Sequence, residues 1–401
     1  MKLKNKLLIL IVLFVNIFLI YGSLSYAKEV RGVTDTVIKI GVIMDHTGPA
    51  ANVTLPIANG IKTYARYFND QGDVYGRKLK IIAEDDRYSI PAAIAAYKKL
   101  IFKDRIFTLI GPGSASFVPP LWDKWQKDKL PTMCVVFSEL TVDPYKKYIF
   151  IACDTYERQV MVLTDYIVKD YKLKNPRIGI VRPDTEAGKT DLRGVLPRLK
   201  EYNIEAVTEE IVMAGAVDVS SQVMSLKRKN TNCIMNIGTI TSTAVTLVRE
   251  LKKFGYKIPV FNSWGAMLAE DLNEIGDAAS QTYVVTGLVP WYGEGPGVEN
   301  LRKVTLRYFP GTEKPYRGTG FTYGWGLLTI LTEGLKKTGK DLDEDGLIKA
   351  LESLENYDTG GLLPPITFTS KSHRGGQASK IYRVNPARKQ FVALTGWKRL
   401  E

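Results

Sequence analysis

Residues 37–43 read Val37-Ile38-Lys39-Ile40-Gly41-Val42-Ile43, and this run, with the segments after it, decides the fold. A short β-branched run bounded by polar and turn residues reads as a strand. Beyond the turn at Thr47-Gly48-Pro49, residues Ile57 to Asn69 carry helical periodicity. The same pairing recurs. Leu79–Asp86, Phe107–Gly111 and Pro131–Phe137 read as further strands, with a helix opening at Ser89 and Pro91 and another over Val118–Lys127. Strands separated by helical crossovers form a parallel sheet covered on both faces. The rhythm then restarts, with strands at Arg177–Val181, Glu205–Val212, Cys233–Ile237, Val260–Asn262 and Tyr283–Val285. Helical patterns at Leu192–Tyr202, Ser220–Lys229 and Thr243–Phe254 lie between them. More helices are expected at Gly297–Tyr308, Thr322–Lys337 and Leu347–Leu354, and a final hairpin over Lys380–Val384 and Gln390–Thr395. The pattern predicts an α/β chain of two Rossmann-like lobes with parallel central sheets.

Bulk properties narrow the function. Lysines at 2, 4 and 6, an apolar run from Leu7 to Tyr21, and Ser25-Tyr26-Ala27 make a secretory leader cleaved after Ala27. Its loss removes three lysines and no acid, lowering the formal charge from +13 to +10. The remaining charges are interspersed along the chain, which argues for a solvated surface and against nucleic-acid binding. So long a chain exceeds one hydrophobic core, so two domains are expected. Cys134, Cys153 and Cys233 are odd in number and widely spaced, unlike a disulfide framework or a structural zinc site. A Cys134–Cys153 bridge stays open; buried thiols are the simpler expectation. His46 and His373 are the only histidines, which leaves no histidine-built metal centre and no nucleophile–base–orienter set. The chain therefore reads as a non-enzyme with no cofactor and no metal.

Several segments carry a resemblance together. They are Ile38-Lys39-Ile40-Gly41-Val42 with Thr47-Gly48-Pro49-Ala50, Gly76-Arg77-Lys78-Leu79, Glu84-Asp85-Asp86 with Pro91-Ala92, Leu109-Ile110-Gly111-Pro112, and Ser370 to Gly375. In this order the chain resembles the periplasmic solute-binding proteins of the branched-chain amino-acid (Leu/Ile/Val) ABC importer family. The resemblance implies the type I periplasmic-binding-protein fold, two lobes joined by a three-segment hinge with ligand clamped between. It places residues 28–153 with 291–357 in an N-terminal lobe and 154–290 with 358–401 in a C-terminal lobe. Crossings are expected near Ile151–Thr155, Leu288–Trp291 and Tyr357–Leu363. It also implies a periplasmic monomer that takes a small organic ligand and docks on an ABC permease in the inner membrane. A ligand-sensing role on the same fold is the alternative.

The candidate site comes from the loops. Gly111-Pro112-Gly113-Ser114-Ala115-Ser116 lacks the third glycine of a dinucleotide fingerprint. Its amides and hydroxyls, opening a helix, suit an anion. The resemblance implies that this loop grips a ligand carboxylate, which gives Ser114, Ala115 and Ser116, with Phe137 and Ser138 after the fourth strand. Thr239, after the Cys233–Ile237 strand, joins the set. Ala187-Gly188-Lys189-Thr190 is not a phosphate loop, because Pro183 occupies its first glycine position. Where amino-acid binders hold the ligand ammonium with acids, this chain has Tyr156 and Trp264. An ammonium buried without a carboxylate costs several kcal/mol, whereas rings offer flat apolar surface. The ligand expected is an organic acid such as an aromatic carboxylate; a branched-chain or other hydrophobic amino acid is the alternative. His46 and Asn52, after the first strand, are expected to reach a ring substituent.

Overall fold

The computed structural model describes residues 29–213, 215–266, 276–308, 317–388 and 390–400; the leader expected at 1–27 lies outside them. Strand β1 (Val37–Met44) buries side chains on both faces, including Ile38, Ile40, Val42, Ile43 and Met44. Such a strand is stable only in the middle of a covered sheet. It sits between β2 (Lys78–Asp85) and β3 (Thr108–Ile110), and β4 (Thr132–Cys134) and β5 (Ile149–Ile151) come next, all parallel. The second sheet repeats the order, with β7 (Thr208–Ile211), β6 (Ile178–Arg182), β8 (Cys233–Asn236), β9 (Val260–Asn262) and β10 (Thr282–Thr286) parallel. Strands β11 (Lys380–Asn385) and β12 (Gln390–Ala393) close it antiparallel. Both orders are doubly wound, so loops at the carboxyl ends of the strands frame the crevice.

Helices sheathe each sheet. In the second lobe the Ser220–Arg228 and Thr241–Lys253 helices bury Val223, Leu226, Val248 and Leu251 against one face. The Tyr156–Asp165 and Glu186–Glu201 helices bury Val160, Leu163, Val195 and Leu199 against the other. In the first lobe the Ala51–Gln71 and Thr319–Thr338 helices pack together. Glycines set their separation. A Cβ on Gly324 would fall 2.0 Å from the Ile57 carbonyl oxygen, and one on Gly60 would fall 2.2 Å from that of Phe321. The Tyr64 and Thr332 hydroxyls hydrogen-bond at 3.0 Å across the same contact.

Several elements differ from the sequence reading. The Ala51–Gln71 helix starts before Ile57, because the Asp45 carboxylate accepts from the Gly48 and Ala50 amides and caps its approach. The Glu186–Glu201 helix starts before Leu192, with Thr185 Oγ1 accepting from the Gly188 amide at its N-cap. Ala187–Thr190 is therefore helical. Strand β5 falls at the edge of the first expected crossing, where three residues leave almost no periodicity to read. The Tyr156–Asp165 helix is a further element that the sequence reading does not contain.

The three passages between lobes lie side by side. The first runs from β5 through the buried residues Ala152–Thr155, and the second leaves from β10. The third is not at Tyr357–Leu363. Tyr357 pairs with Ile366, Ile366 with Gly376, and Arg374 with Ile151, so this stretch stays on the first lobe as an extension of its sheet. Gly360 and Gly361 serve a turn there, with positive φ, and the Gly360 carbonyl accepts from the Gly297 amide at 2.8 Å. The chain passes over after Gly376, where a Cβ would meet the Ala152 carbonyl oxygen at 2.5 Å. Cys134, Cys153 and Cys233 are free, buried thiols, and burial pushes Cys134 up to about 12.

Gly324→Ala is expected to destabilise the protein by ~1–3 kcal/mol through overpacking. Gly318→Ala, at a position with nothing within 4 Å of the added carbon, should stay within about 0.5 kcal/mol of wild type. Chemical denaturation of the two variants makes the comparison.

Candidate ligand-binding cleft

Four rings meet where the strand ends of the lobes face each other. Phe137, in the loop after β4, is fully buried. Its ring centroid lies 5.2 Å from Tyr323, 5.3 Å from Tyr156 and 5.5 Å from Trp264. Tyr156 and Trp264 stack at 6.0 Å and 23°. These are favourable aromatic separations. The Tyr156 amide donates to the Phe137 carbonyl at 3.0 Å, which fixes the first passage against the β4 loop. Phe137 belongs to the first lobe and Trp264, after β9, to the second. The lobes therefore touch through aromatic rings, Phe137 meeting Trp264 edge-on. A small cleft beside the cluster is lined by Trp264, Thr286, Pro290, Thr319 and Tyr382.

Hydroxyls border the rings. Ser138 Oγ, Thr239 Oγ1 and Tyr323 Oη are buried and have no hydrogen-bond partner among the described residues. Leaving such a group unpaired costs about 1–3 kcal/mol. Ser138 occupies the N-cap of the short Glu139–Val142 helix without making a cap hydrogen bond. Ser114 is buried and shares a 2.9 Å hydrogen bond with the exposed Ser116. Ala115 begins the Ala115–Phe117 turn, which lies against the Glu186–Glu201 helix of the other lobe. Burial raises the Tyr156 and Tyr323 phenols well above their ordinary value, so both stay neutral.

The structure brings Phe137, Tyr156 and Trp264 together, with Ser138 directly after Phe137 and Thr239 in the loop after β8, its carbonyl close to Gly265 beside Trp264. His46 and Asn52 lie in the turn after β1 and at the start of the Ala51–Gln71 helix, and His46 Nε2 is buried without a hydrogen-bond partner among the described residues. Asn52 is exposed on the Ala51–Gln71 helix. His46 is half-buried beside Asp45 and Asp85, and burial lowers its pKa. The Asp45, Asp85 and Asp86 carboxylates offer oxygens within 4.8 Å of one another. Those of Asp45 and Asp85 already accept from the Gly48, Ala50, His46 and Arg87 amides and from Thr47 Oγ1. They are turn caps. Burial pushes Asp86 up to about 6, helped by Asp45 and Asp85.

Sequence reasoning missed Tyr323, which looks like one more core residue of an apolar helix, and three acids. Glu139 accepts from Thr155 Oγ1 at 2.7 Å and pairs with Arg374. Glu157 is buried beside Tyr156, accepts from the Glu139 amide at 3.2 Å, and lies 3.6 Å from Arg193. Asp191 is buried in the Glu186–Glu201 helix and accepts from the Gly238 amide at 2.7 Å. No motif marks these acids. Glu139 and Glu157 each stand one residue beyond an expected site residue, and Asp191 one residue beyond the Ala187–Thr190 segment.

A family model described as periplasmic binding protein matches residues 37–390. An amino acid binding protein of Pseudomonas aeruginosa is 20% identical, covering 71% of this chain and 75% of its own length. The leucine-specific-binding protein of Salmonella typhimurium is 23% identical, covering 82% and 87%. Among solved structures, a branched chain amino acid ABC transporter protein from Thermus thermophilus with bound valine superposes with a TM-score of 0.84. It is 17% identical and covers 92% of this chain and 98% of that one. A fatty acid ABC transporter substrate-binding protein from Thermomonospora curvata gives 0.82 at 23% identity, covering 94% and 95%.

Asp86 has a folded pKa of about 6 against an ordinary 3.8. Its ionisation therefore costs stability that grows from about pH 4 and is complete above pH 6. Asp86→Asn, which can still accept from the Tyr88 amide, should raise the melting temperature at pH 8 and change it little at pH 4. Thermal denaturation at both values checks this.

Proposed function

Because the chain belongs to the periplasmic binding protein family, we propose that it is the extracytoplasmic solute-binding component of an ABC importer. Its cargo, in this reading, is a small carboxylate-bearing organic molecule with a flat apolar body, such as an aromatic acid. The observation that carries the reading is the cluster of Phe137, Tyr156, Trp264 and Tyr323 spanning both lobes. A planar ligand entering between these rings gains stacking contacts from both lobes. The hydroxyls of Ser114, Ser116, Ser138 and Thr239 supply donors for its polar end. Ligand first held by one lobe then completes its contacts on closure, and its higher affinity for the closed form shifts the population. The closed protein docks on a membrane permease. The cleft binds and performs no reaction.

A second reading, a hydrophobic amino acid as cargo, is favoured by Glu157. Its Oε1 is buried without a hydrogen-bond partner among the described residues, with the Arg193 guanidinium 3.6 Å away. A carboxylate there supplies an ammonium with its counter-ion, as the names of the relatives would suggest.

Thermal shift with benzoate-type acids against leucine, isoleucine and valine separates the readings. Benzoates are expected to raise the melting temperature; stabilisation by the amino acids alone rejects the aromatic-acid reading. Trp264→Ala should weaken the bound acid by about 10–100-fold, the loss typical of a central aromatic contact, measured by calorimetry.

A further inference from the structure

Asp191 is placed to organise the second lobe's half of the cleft. Its carboxylate accepts from the Gly238 amide at 2.7 Å and hydrogen-bonds the Ser263 hydroxyl. The same Gly238 amide is also shared with Ser263 Oγ at 2.9 Å. One buried side chain therefore joins the loop after β8 to the loop after β9. Gly238 adopts φ +61°, and a Cβ on it would meet Gly188 Cα at 2.4 Å, so the first loop is pressed on the start of the helix that carries Asp191. Thr239 directly follows Gly238, and Trp264 directly follows Ser263. The loops also touch beyond the clamp, since a Cβ on Gly265 would lie 3.3 Å from the Thr239 carbonyl oxygen.

We propose that Asp191 is the positioning residue of this half-site, tying the two loops so that Thr239 and Trp264 face the ligand as one preformed wall. The role rests on the cleft reading above. Preforming a wall raises affinity by removing the ordering cost from the binding step. Burial, with Glu157 nearby, pushes the Asp191 carboxyl up to about 7, against the opposing pull of Ser263, Gly238 and Arg193. The clamp thus changes charge near neutrality. The charged and titratable groups around it are Glu157 and Tyr156 from the Tyr156–Asp165 helix and Arg193 from its own helix. The two loops bring an amide and a hydroxyl. Above pH 7 the ionised carboxylate accepts both donors strongly; below it the protonated form holds them less well.

Hydrogen exchange of the ligand-free protein, with binding of benzoate and of leucine as probes, tests the role. Asp191→Ala is expected to speed exchange at Gly238 and at residues 263–265 by about tenfold, leaving the rest of both lobes unchanged. It should weaken whichever probe the wild type binds by about tenfold, the loss of one hydrogen bond to a charged group. Asp191→Asn keeps an acceptor for the Gly238 amide and a donor toward Ser263. It should restore both readouts while removing the change in local protection that the wild type shows between pH 6 and 8. Glu157→Gln should keep that change. Unaltered exchange in both loops, acceleration spread over both lobes, or undiminished probe binding in Asp191→Ala overturns the proposal. Should the wild type bind neither probe, the ligand reading fails, while the exchange pattern still decides what Asp191 does.

Discussion

The close approach of the Ala51–Gln71 and Thr319–Thr338 helices, made possible by Gly60 and Gly324, governs much of what lies above it. That contact draws a late segment of the chain back onto the first lobe. Once there, the Thr319–Thr338 helix delivers Tyr323 to Phe137 and Thr319 to the cleft wall. A wider separation would withdraw the Tyr323 ring and leave Phe137 packed from one side only. The return also obliges the chain to cross between lobes again, and so the hinge has its third strand of chain.

The cleft itself balances two kinds of burial. Ring faces gain from leaving water at roughly 25 cal/mol per Å², and they ask for no partner. The acids behind them are in a different position. Glu139 and Glu157 are held by Thr155, Arg374 and Arg193, and Asp191 by two loop donors. Polar groups thus form a supporting layer under an apolar lining. In the proposed reading the lining selects for shape and flatness, while the layer beneath keeps the loops in register.

Much of the architecture is legible in the sequence because it rests on periodicity. Val37–Ile43 and Cys233–Ile237 read as strands from their β-branched runs, and the repeated alternation implies two lobes. Strand β5 and the third passage are not legible, for a physical reason. Three residues carry no periodic signal, and the prolines and glycines of 357–365 mark a turn as well as they mark a hinge. At the site, Tyr156 and Trp264 stand out because an aromatic ring at an expected acid position is conspicuous. Asp191 is hidden, since an acid near a helix start looks like solvent-facing charge until tertiary packing buries it. The loop after β1 points to His46 as a cleft residue, and the Asp45 and Asp85 carboxylates set how that loop turns.

The position of strand β11 in the second sheet carries a consequence for how the molecule is made. Residues 380–393 complete a sheet begun at residue 178, and residues 319–376 complete a lobe begun at residue 37. Each core is thus closed by distant, late-arriving chain, a topology rich in non-local contacts that folds slowly. A chain emerging from its N-terminus finds neither core complete until its last hundred or so residues have appeared.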